Sequence, residues 1–312
     1  MAAPTVSVLV PLYQGEPWIA AALDSILAQT FEDFEVMLVD DGSTDGGGEI
    51  ARAYAQRDGR VRYLWQENAG LPGARNTGLA AASGTYIGFL DADDLWLPDK
   101  LERQLAAVGD GVLYGDAYMM YDDDDEPTGE RLAEHVPPAA GDIFDPLLQE
   151  NVVPVLTVLL PRELLERFGG FDATQRQVED WDLWLRMCAG GVRFDYLSDP
   201  VAVYRVRGTA LSADYPLVSS YRLRALRKLQ PLVTGPRRRA VDRRVRLERS
   251  RLAGELRIRA WQRAADGSVR EARADIDAAL RAEPASGRAL LAAAIARVPP
   301  LLRAVARREL GE

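Results

Sequence analysis

The chain opens with short apolar runs that alternate with stretches of helical spacing. Residues 6–11 form an unbroken β-branched and aliphatic run, the mark of a strand buried on both faces. Trp18, Ile19, Leu23, Ile26 and Leu27 then recur at helical spacing and predict a helix over 16–29. A second apolar strand over 34–39 stops at Asp40-Asp41-Gly42-Ser43, and a helix over 45–56 follows, with Asp45 placed to cap it. Residues 61–65 read as a third strand, 71–82 as a helix and 85–90 as a fourth strand. Pro98 then opens a helix over 99–108. Such alternation predicts an open parallel sheet with helices on both faces, whose ligands bind beyond the carboxyl ends of the strands. Residues 11–14, 40–43 and 91–94 then share one rim.

Beyond residue 110 the pattern loosens. Strands are predicted over 112–121, 152–160, 192–197 and 201–204, with helices over 162–168 and 178–188 between them. An acidic run over 122–126 and a proline-containing loop to about Gly141 follow the first of these strands. From about Tyr215 the chain reads as helices rich in Ala, Leu and Arg, broken near Gly235-Pro236, Asp266-Gly267 and Pro284. Residues 274–284 carry one faint copy of a helical-hairpin repeat, and a solenoid needs several.

Charge sharpens this division. The net charge is −9 over 312 residues, a length that fits one large α/β domain and an appendage. Residues 1–215 hold 15 Lys+Arg against 37 Asp+Glu, whereas residues 216–312 hold 23 against 10. An acidic front and a basic tail indicate two differently employed regions. Cys188 and His135 are each the sole residue of their type, which excludes an internal disulfide, a thiolate cluster and any site built on two imidazoles. No basic start with a long apolar run and no stretch near the roughly 20 residues of a membrane span is present, so a soluble protein without a signal peptide is expected.

Two or three acidic loops carry the candidate chemistry. Asp91-Ala92-Asp93-Asp94 follows the fourth strand directly, and carboxylates at i and i+2 there can share a hard cation. An ordinary acidic turn is the competing reading. Asp40-Asp41-Gly42-Ser43 can accept hydrogen bonds from a nucleobase or ribose, or cap the next helix. Glu179-Asp180 opens a helix, where a carboxylate serves equally as a cap or, held ionised by the helix terminus, as a base. The run 122–125 lacks the spaced ligands of a calcium loop, and His135 lies in a loop open to solvent. Trp18, Trp65 and Trp96 read as core or pocket-wall residues, while Phe144, Asn151 and Thr157 are weaker candidates to face an acceptor.

Several of these segments together resemble the family 2 glycosyltransferases of GT-A fold. They are Val6-Ser7-Val8-Leu9-Val10-Pro11-Leu12-Tyr13, Leu38-Val39-Asp40-Asp41-Gly42-Ser43, Gly73-Ala74-Arg75-Asn76-Thr77-Gly78 and Phe89-Leu90-Asp91-Ala92-Asp93-Asp94. Gly169-Gly170-Phe171-Asp172, the segment from Glu179 to Arg186, Tyr204-Arg205 and Leu211-Ser212 extend the likeness over about residues 5–212. The resemblance implies a doubly wound mixed sheet in residues 1–214, with a nucleotide-binding half over 1–110, an acceptor half over 111–214 and a basic α-helical region over 215–312. It implies that Pro11 and Tyr13 line the base and ribose pocket, that Asp41 meets a uracil or thymine imide with Asp40 beside it, and that Arg75 approaches base or diphosphate. Asp93 would be the direct ligand of a Mg²⁺ or Mn²⁺ ion, Asp91 would touch ribose and metal shell, and Asp180 would be the base of an inverting transfer. The donor is expected to be a UDP- or dTDP-sugar and the acceptor a glycan, lipid-linked or protein-linked hydroxyl.

One position departs from the pattern. Many relatives carry a histidine shortly after the Tyr-Arg pair, where it completes the metal shell, but here Tyr204-Arg205-Val206-Arg207 offers an arginine, which ligates no cation. The basic tail, with Arg237-Arg238-Arg239, Arg243, Arg244 and Arg246, is compatible with peripheral contact at the inner face of a membrane, with an acidic partner or with homodimerisation. It lacks the interleaved aromatics of a nucleic-acid surface, and a cytoplasmic location is expected. The alternatives are a nucleotidyltransferase, which would want a Gly- and Lys-rich loop after the first strand, and an inactive sugar-nucleotide-binding module with a helical interaction tail.

Overall fold

The computed structural model describes residues 3–121, 126–207, 214–284, 286–297 and 299–310. The acidic run 122–125 and the pair Leu211-Ser212 lie outside the described residues. The chain divides into two compact units, Met1–Ala210 and Leu211–Glu312.

The first unit begins with β1 (Val6–Leu12), α1 (Ile19–Leu27), β2 (Phe34–Asp40), α2 (Gly47–Arg57), β3 (Val61–Trp65), α3 (Leu71–Ala81) and β4 (Tyr86–Phe89). It continues with β5 (Leu95–Trp96), α4 (Lys100–Leu105), β6 (Val112–Tyr121), α5 (Leu132–His135), α6 (Phe144–Gln149) and β7 (Leu159–Pro161). α7 (Arg162–Phe168), α8 (Glu179–Ala189) and β8 (Phe194–Val206) complete it. The strands form one eight-stranded sheet in the order β3-β2-β1-β4-β7-β6-β8-β5. β3, β2, β1 and β4 run parallel, β7 runs against both β4 and β6, β8 is parallel to β6, and β5 is antiparallel to β8. The sheet is therefore mixed, not wholly parallel as the alternation of the first hundred residues suggested.

β1 is buried along its whole length, which is what its uninterrupted apolar sequence requires. Val6, Val8, Val10 and Leu12 pack with Ile19, Leu23, Ile26, Ala51 and Tyr54 from α1 and α2 on one face. On the other, Gly78 of α3 lies so close to Leu9, Met37 and Val39 that an added Cβ would meet them at 3.3–3.5 Å. Each fully buried aliphatic side chain of this kind stabilises the fold by about 1.5–3 kcal/mol. Pairing of Leu12 with Asp40 and of Leu9 with Phe89 sets the ends of β1, β2 and β4 side by side. That register sets the expected segments 11–14, 40–43 and 91–94 along one rim, to which residues 66–70 after β3 are added.

The second half corrects several expectations. The strand expected over 152–160 shrinks to β7, preceded by a single 3₁₀ turn at Val155–Thr157. Pro154 has no N–H for a ladder, and the Thr157 hydroxyl donates back to its carbonyl at 2.8 Å. Thr157 and Phe144 are buried, so neither faces an acceptor. The two short strands expected over 192–204 are one strand, β8, whose register slips opposite Gly115–Asp116, where Pro200 cannot donate. Trp65 is 60% exposed because β3 is an edge strand, so it is not a core residue. His135 is exposed and Cys188 buried.

The second unit is helical: α9 (Tyr215–Leu229), α10 (Gly235–Ala265), α11 (Val269–Ala282), α12 (Gly287–Ala296) and α13 (Pro299–Leu310). Asp214 caps α9 by accepting from Leu217 N at 3.1 Å, and prolines stand in the first turns of α9 and α10. The expected break near Gly235-Pro236 falls between α9 and α10, with Pro236 in the first turn of the new helix. Ala260, Ala264, Ala272, Ile276, Ala292 and Leu302 form its core. Many of its arginines face internal carboxylates: Arg244 pairs with the buried Glu248, and Arg259 and Arg263 both reach Asp275 at 2.8 Å. Among the described residues no helix is long and apolar enough to cross a membrane.

Lys100, at the start of α4, is wholly buried. Its amine meets Gln104 Oε1, the Thr157 carbonyl at 3.4 Å and the Trp96 ring at 4.6 Å, but no carboxylate among the described residues. Burial pushes its pKa well below the usual lysine value of 10.5. The unfolded chain therefore binds this proton over a pH window in which the folded chain does not, so stability rises with pH up to about 10.5. Replacing Lys100 by Met should remove that rise and raise the neutral-pH stability by at least about 1 kcal/mol, read from urea unfolding at several pH values.

Candidate functional site

Four rim loops, the start of α8 and the end of β8 build the site. After β2, Asp40 is buried, accepting from Ser43 N at 2.8 Å and from the Tyr63 hydroxyl at 2.7 Å. Burial, reinforced by Asp40, pushes the Tyr63 hydroxyl up to about 12, so it stays a donor. Gly48 is required beneath this carboxylate, since a Cβ there would stand 2.5 Å from Asp40 Oδ2. Asp41 is 2% exposed and accepts from Gln66 Nε2 at 2.6 Å and from Ala69 N and Gly70 N at 2.8 Å each. It ties the loop after β3 to the loop after β2. Asp45 is not the N-cap residue, a place taken by Gly46, but its carboxylate still accepts from Gly47 N at 3.1 Å.

Tyr13 is 56% exposed on the rim after β1, whereas Pro11 is buried in the strand opposite Val39. Pro11 therefore offers no open surface to a ligand. Exposed Trp65 gives the rim a second aromatic that the periodicity of β3 alone did not reveal.

The centre of the site is Arg75. On α3, it is 1% exposed and bridges two carboxylates: Nη2 donates to Asp91 Oδ1 at 2.7 Å and Nη1 to Glu179 Oε1 at 2.5 Å. Its guanidinium also lies 5.3 Å from the Phe171 ring, which packs edge-on against Phe89 at 5.6 Å. Arg75 faces inward to carboxylates, and any hold on a ligand runs through Asp91. Asn76, the next residue, donates to Phe171 O at 2.7 Å and accepts from Phe171 N at 3.0 Å, fixing the segment after Gly169-Gly170. Gly170 has φ +63, and a Cβ there would meet Asn76 Oδ1 at 2.8 Å.

Glu179 and Asp180 open α8 directly after Val178, whose φ of +52 is a costly conformation for a β-branched residue. Glu179 is buried, and desolvation raises its pKa to about 7 despite the opposing charge of Arg75. Asp180 is half-buried and accepts from Asn151 Nδ2 at 2.8 Å. Burial raises its pKa above the ordinary aspartate value. Asn151 thus serves Asp180. At a separation of 29 positions, the two gave no sequence signal as a pair.

Asp91, Asp93 and Asp94 divide their tasks. Asp94 is buried and accepts from Arg205 N at 2.8 Å, while Arg205 Nε donates to the Asp93 carbonyl at 3.0 Å. Pairing of β5 with β8 through Leu95–Val203 and Trp96–Ala202 brings these segments together. Asp93 Oδ2 accepts from Arg207 Nη1 at 2.6 Å, and the Arg207 guanidinium lies 4.0 Å from the Trp18 ring centroid. Burial and then the neighbouring carboxylates push Asp93 up and Asp94 well up, which marks a cluster short of positive charge.

These residues fit a divalent ion of one kind. Among the described residues no three ligating side chains converge as a protein-only cage. Asp91 and Asp93, on one loop, would serve as the one or two carboxylates that Mg²⁺ takes when phosphate oxygens and water complete its shell. Their surplus negative charge suits a cation that arrives with a phosphate-bearing ligand.

Comparison with known proteins finds glycosyltransferases. The sequence profile described as "Glycosyl transferase family 2" matches residues 7–128. TuaG of Bacillus subtilis, a glycosyltransferase assigned to teichuronic acid biosynthesis, is 31% identical over 214 residues, covering 68% of this chain and 82% of TuaG. EpsJ of the same organism, an uncharacterized glycosyltransferase, is 56% identical over 91 residues, which are 29% of this chain and 26% of EpsJ. In three dimensions, TarS 1–349 of S. aureus, solved in complex with UDP, superposes with a TM-score of 0.60 at 19% identity, covering 99% of this chain and 92% of that one. The mannosyltransferase PcManGT of Pyrobaculum calidifontis, solved with GDP-Man and Mn²⁺, gives 0.60 at 23% identity, covering 98% and 86%. The sheet is thus of the GT-A kind.

The Arg75 bridge yields a direct stability test. Substituting Met leaves Glu179 buried without its cation and should cost about 3–5 kcal/mol in denaturant unfolding. Lys should recover less than half, because one ammonium cannot replace two divergent guanidinium donors. A loss below about 1 kcal/mol would show that the bridge does not organise the site.

Proposed function

The chain belongs to glycosyl transferase family 2, and on that premise we propose that it is an inverting transferase using a UDP- or dTDP-sugar. Its acceptor is a hydroxyl of a glycan, lipid-linked or protein-linked molecule. The observation that carries this reading is the Asp91–Arg75–Glu179 chain, which couples the acidic rim loop to the helix start bearing Asp180. Solved neighbours hold UDP, UDP-GlcNAc and GDP-Man, which supports a nucleotide-sugar donor.

In this reading residues 1–110 receive the donor, with Tyr13 and the exposed Trp65 offering faces to the base. Asp41 and Asp40, each 2% exposed, shape the base and ribose pocket by fixing the loops after β2 and β3. Asp91 and Asp93 face the diphosphate. A Mg²⁺ or Mn²⁺ ion on Asp93, beside Asp91, would supply Lewis-acid neutralisation of the leaving group. Residues 111–214 receive the acceptor. Asp180 takes the proton of the acceptor hydroxyl as that oxygen attacks the anomeric carbon. The bond from that carbon to the diphosphate breaks, and its electron pair leaves with the nucleoside diphosphate. Asn151 orients the Asp180 carboxylate, and Arg75 steadies its charge. The helical unit, with Arg237-Arg238-Arg239 in the first turns of α10, supplies a cationic surface for an anionic membrane or acidic partner.

Asp180→Asn should lower kcat by about 10²–10⁴-fold while leaving nucleotide binding within about twofold of wild type. Asp93→Ala should abolish transfer with the fold intact. Because the base must be ionised and its pKa is raised, the acid limb of kcat/KM should lie above the ordinary aspartate range and vanish in Asp180→Asn. Full turnover by both variants on a confirmed donor and acceptor sinks the proposal.

A further inference from the structure

Arg207 holds the carboxylate that a divalent ion would need. Its Nη1 lies 2.6 Å from Asp93 Oδ2, and both side chains are about a quarter exposed, at 25% and 28%. The contact is built from two sides. The β5–β8 pairing and the two bonds of Arg205 to the 93–94 loop fix the end of β8 against the acidic rim. The guanidinium carbon lies over the ring of Trp18, at the start of α1, 4.0 Å from its centroid. A surface arginine meeting a carboxylate by chance would have neither support.

The chemistry of the pair makes it a competition. Arginine remains protonated at any working pH and ligates no metal, so it opposes an ion at Asp93 by charge and by occupying the carboxylate. The same planar donors match the paired oxygens of a diphosphate. A rotation about the Arg207 side chain would exchange one anion for the other.

We propose that Arg207 is a resident counter-charge that exchanges ligands: it competes with a divalent ion for Asp93 and passes to the donor's diphosphate when nucleotide and ion enter together. This rests on the nucleotide-sugar reading above. The exchange couples the two ligands, because the ion gains Asp93 only when the diphosphate takes Arg207. Coupling of this kind is reciprocal and commonly amounts to 5–150-fold in affinity. It also assigns the rim a charge on the diphosphate that does not depend on the ion.

Arg207→Ala separates this from a structural role, because the two affinities must move in opposite directions. Isothermal titration of the full chain with Mn²⁺ alone should show about fivefold or greater tightening in Arg207→Ala, as Asp93 is released. Titration with UDP, dTDP and GDP in EDTA should show about tenfold or greater weakening of whichever nucleotide wild type binds. Arg207→Lys should keep part of the nucleotide affinity, and circular dichroism melting should find all three proteins folded alike. If Arg207→Ala weakens both ligands, or shifts neither, the exchange is wrong while the transferase reading survives. If wild type binds none of the three nucleotides with saturating Mn²⁺, the transferase reading falls and the exchange falls with it.

Discussion

A single buried guanidinium between two carboxylates organises this protein's rim. Arg75 could not be placed there without partners, since an isolated charge in such a position is prohibitively costly. Asp91 and Glu179 meet it from a loop after β4 and from the first turn of α8, 88 residues apart in sequence and joined through this side chain. Everything nearby is consistent with holding that geometry. Asn76 locks Phe171 by two backbone bonds, Phe171 lies against both Arg75 and Phe89, and Val178 accepts an unfavourable φ so that α8 starts where Glu179 can reach.

The cost of the arrangement is crowding of like charge. Glu179 is pushed to about 7, Asp180 and Asp93 are raised, and Asp94 is raised well above its ordinary value, burial being the first cause in each case. Perturbation of several carboxylates in one place is the electrostatic mark of a functional site. Arg75, Arg205 and Arg207 offset part of it from three directions. What remains is an appetite for positive charge at the end of the sheet where ligands of such folds bind.

Much of this was legible in the sequence where local rules act alone. The apolar runs located β1, β2, β3 and β6 closely, and the rim followed from strand ends in register. The resemblance directed attention to Asp93, Asp180 and Arg75, and the structure brings the acidic loop and the α8 start together around Arg75. What could not be read depends on contacts distant in sequence. Asn151 serving Asp180, Trp18 under Arg207 and the inward turn of Arg75 have no periodic or motif signal. Trp65 is exposed only because β3 falls at the sheet edge, a fact of strand order and not of its own pattern. Pro154 shortened one expected strand by a rule that was available, lack of a donor N–H, but strand propensity in 152–160 outweighed it.

The account stands most directly on one measurement: release of free nucleoside diphosphate from a panel of sugar nucleotides, with acceptor hydroxyl compounds present, in Mg²⁺ or Mn²⁺ and in EDTA. It predicts release from a UDP- or dTDP-sugar that the divalent ion enhances, yielding a glycoside of inverted anomeric configuration. Release with retained configuration, or no release from any donor by a protein that binds UDP, would contradict it.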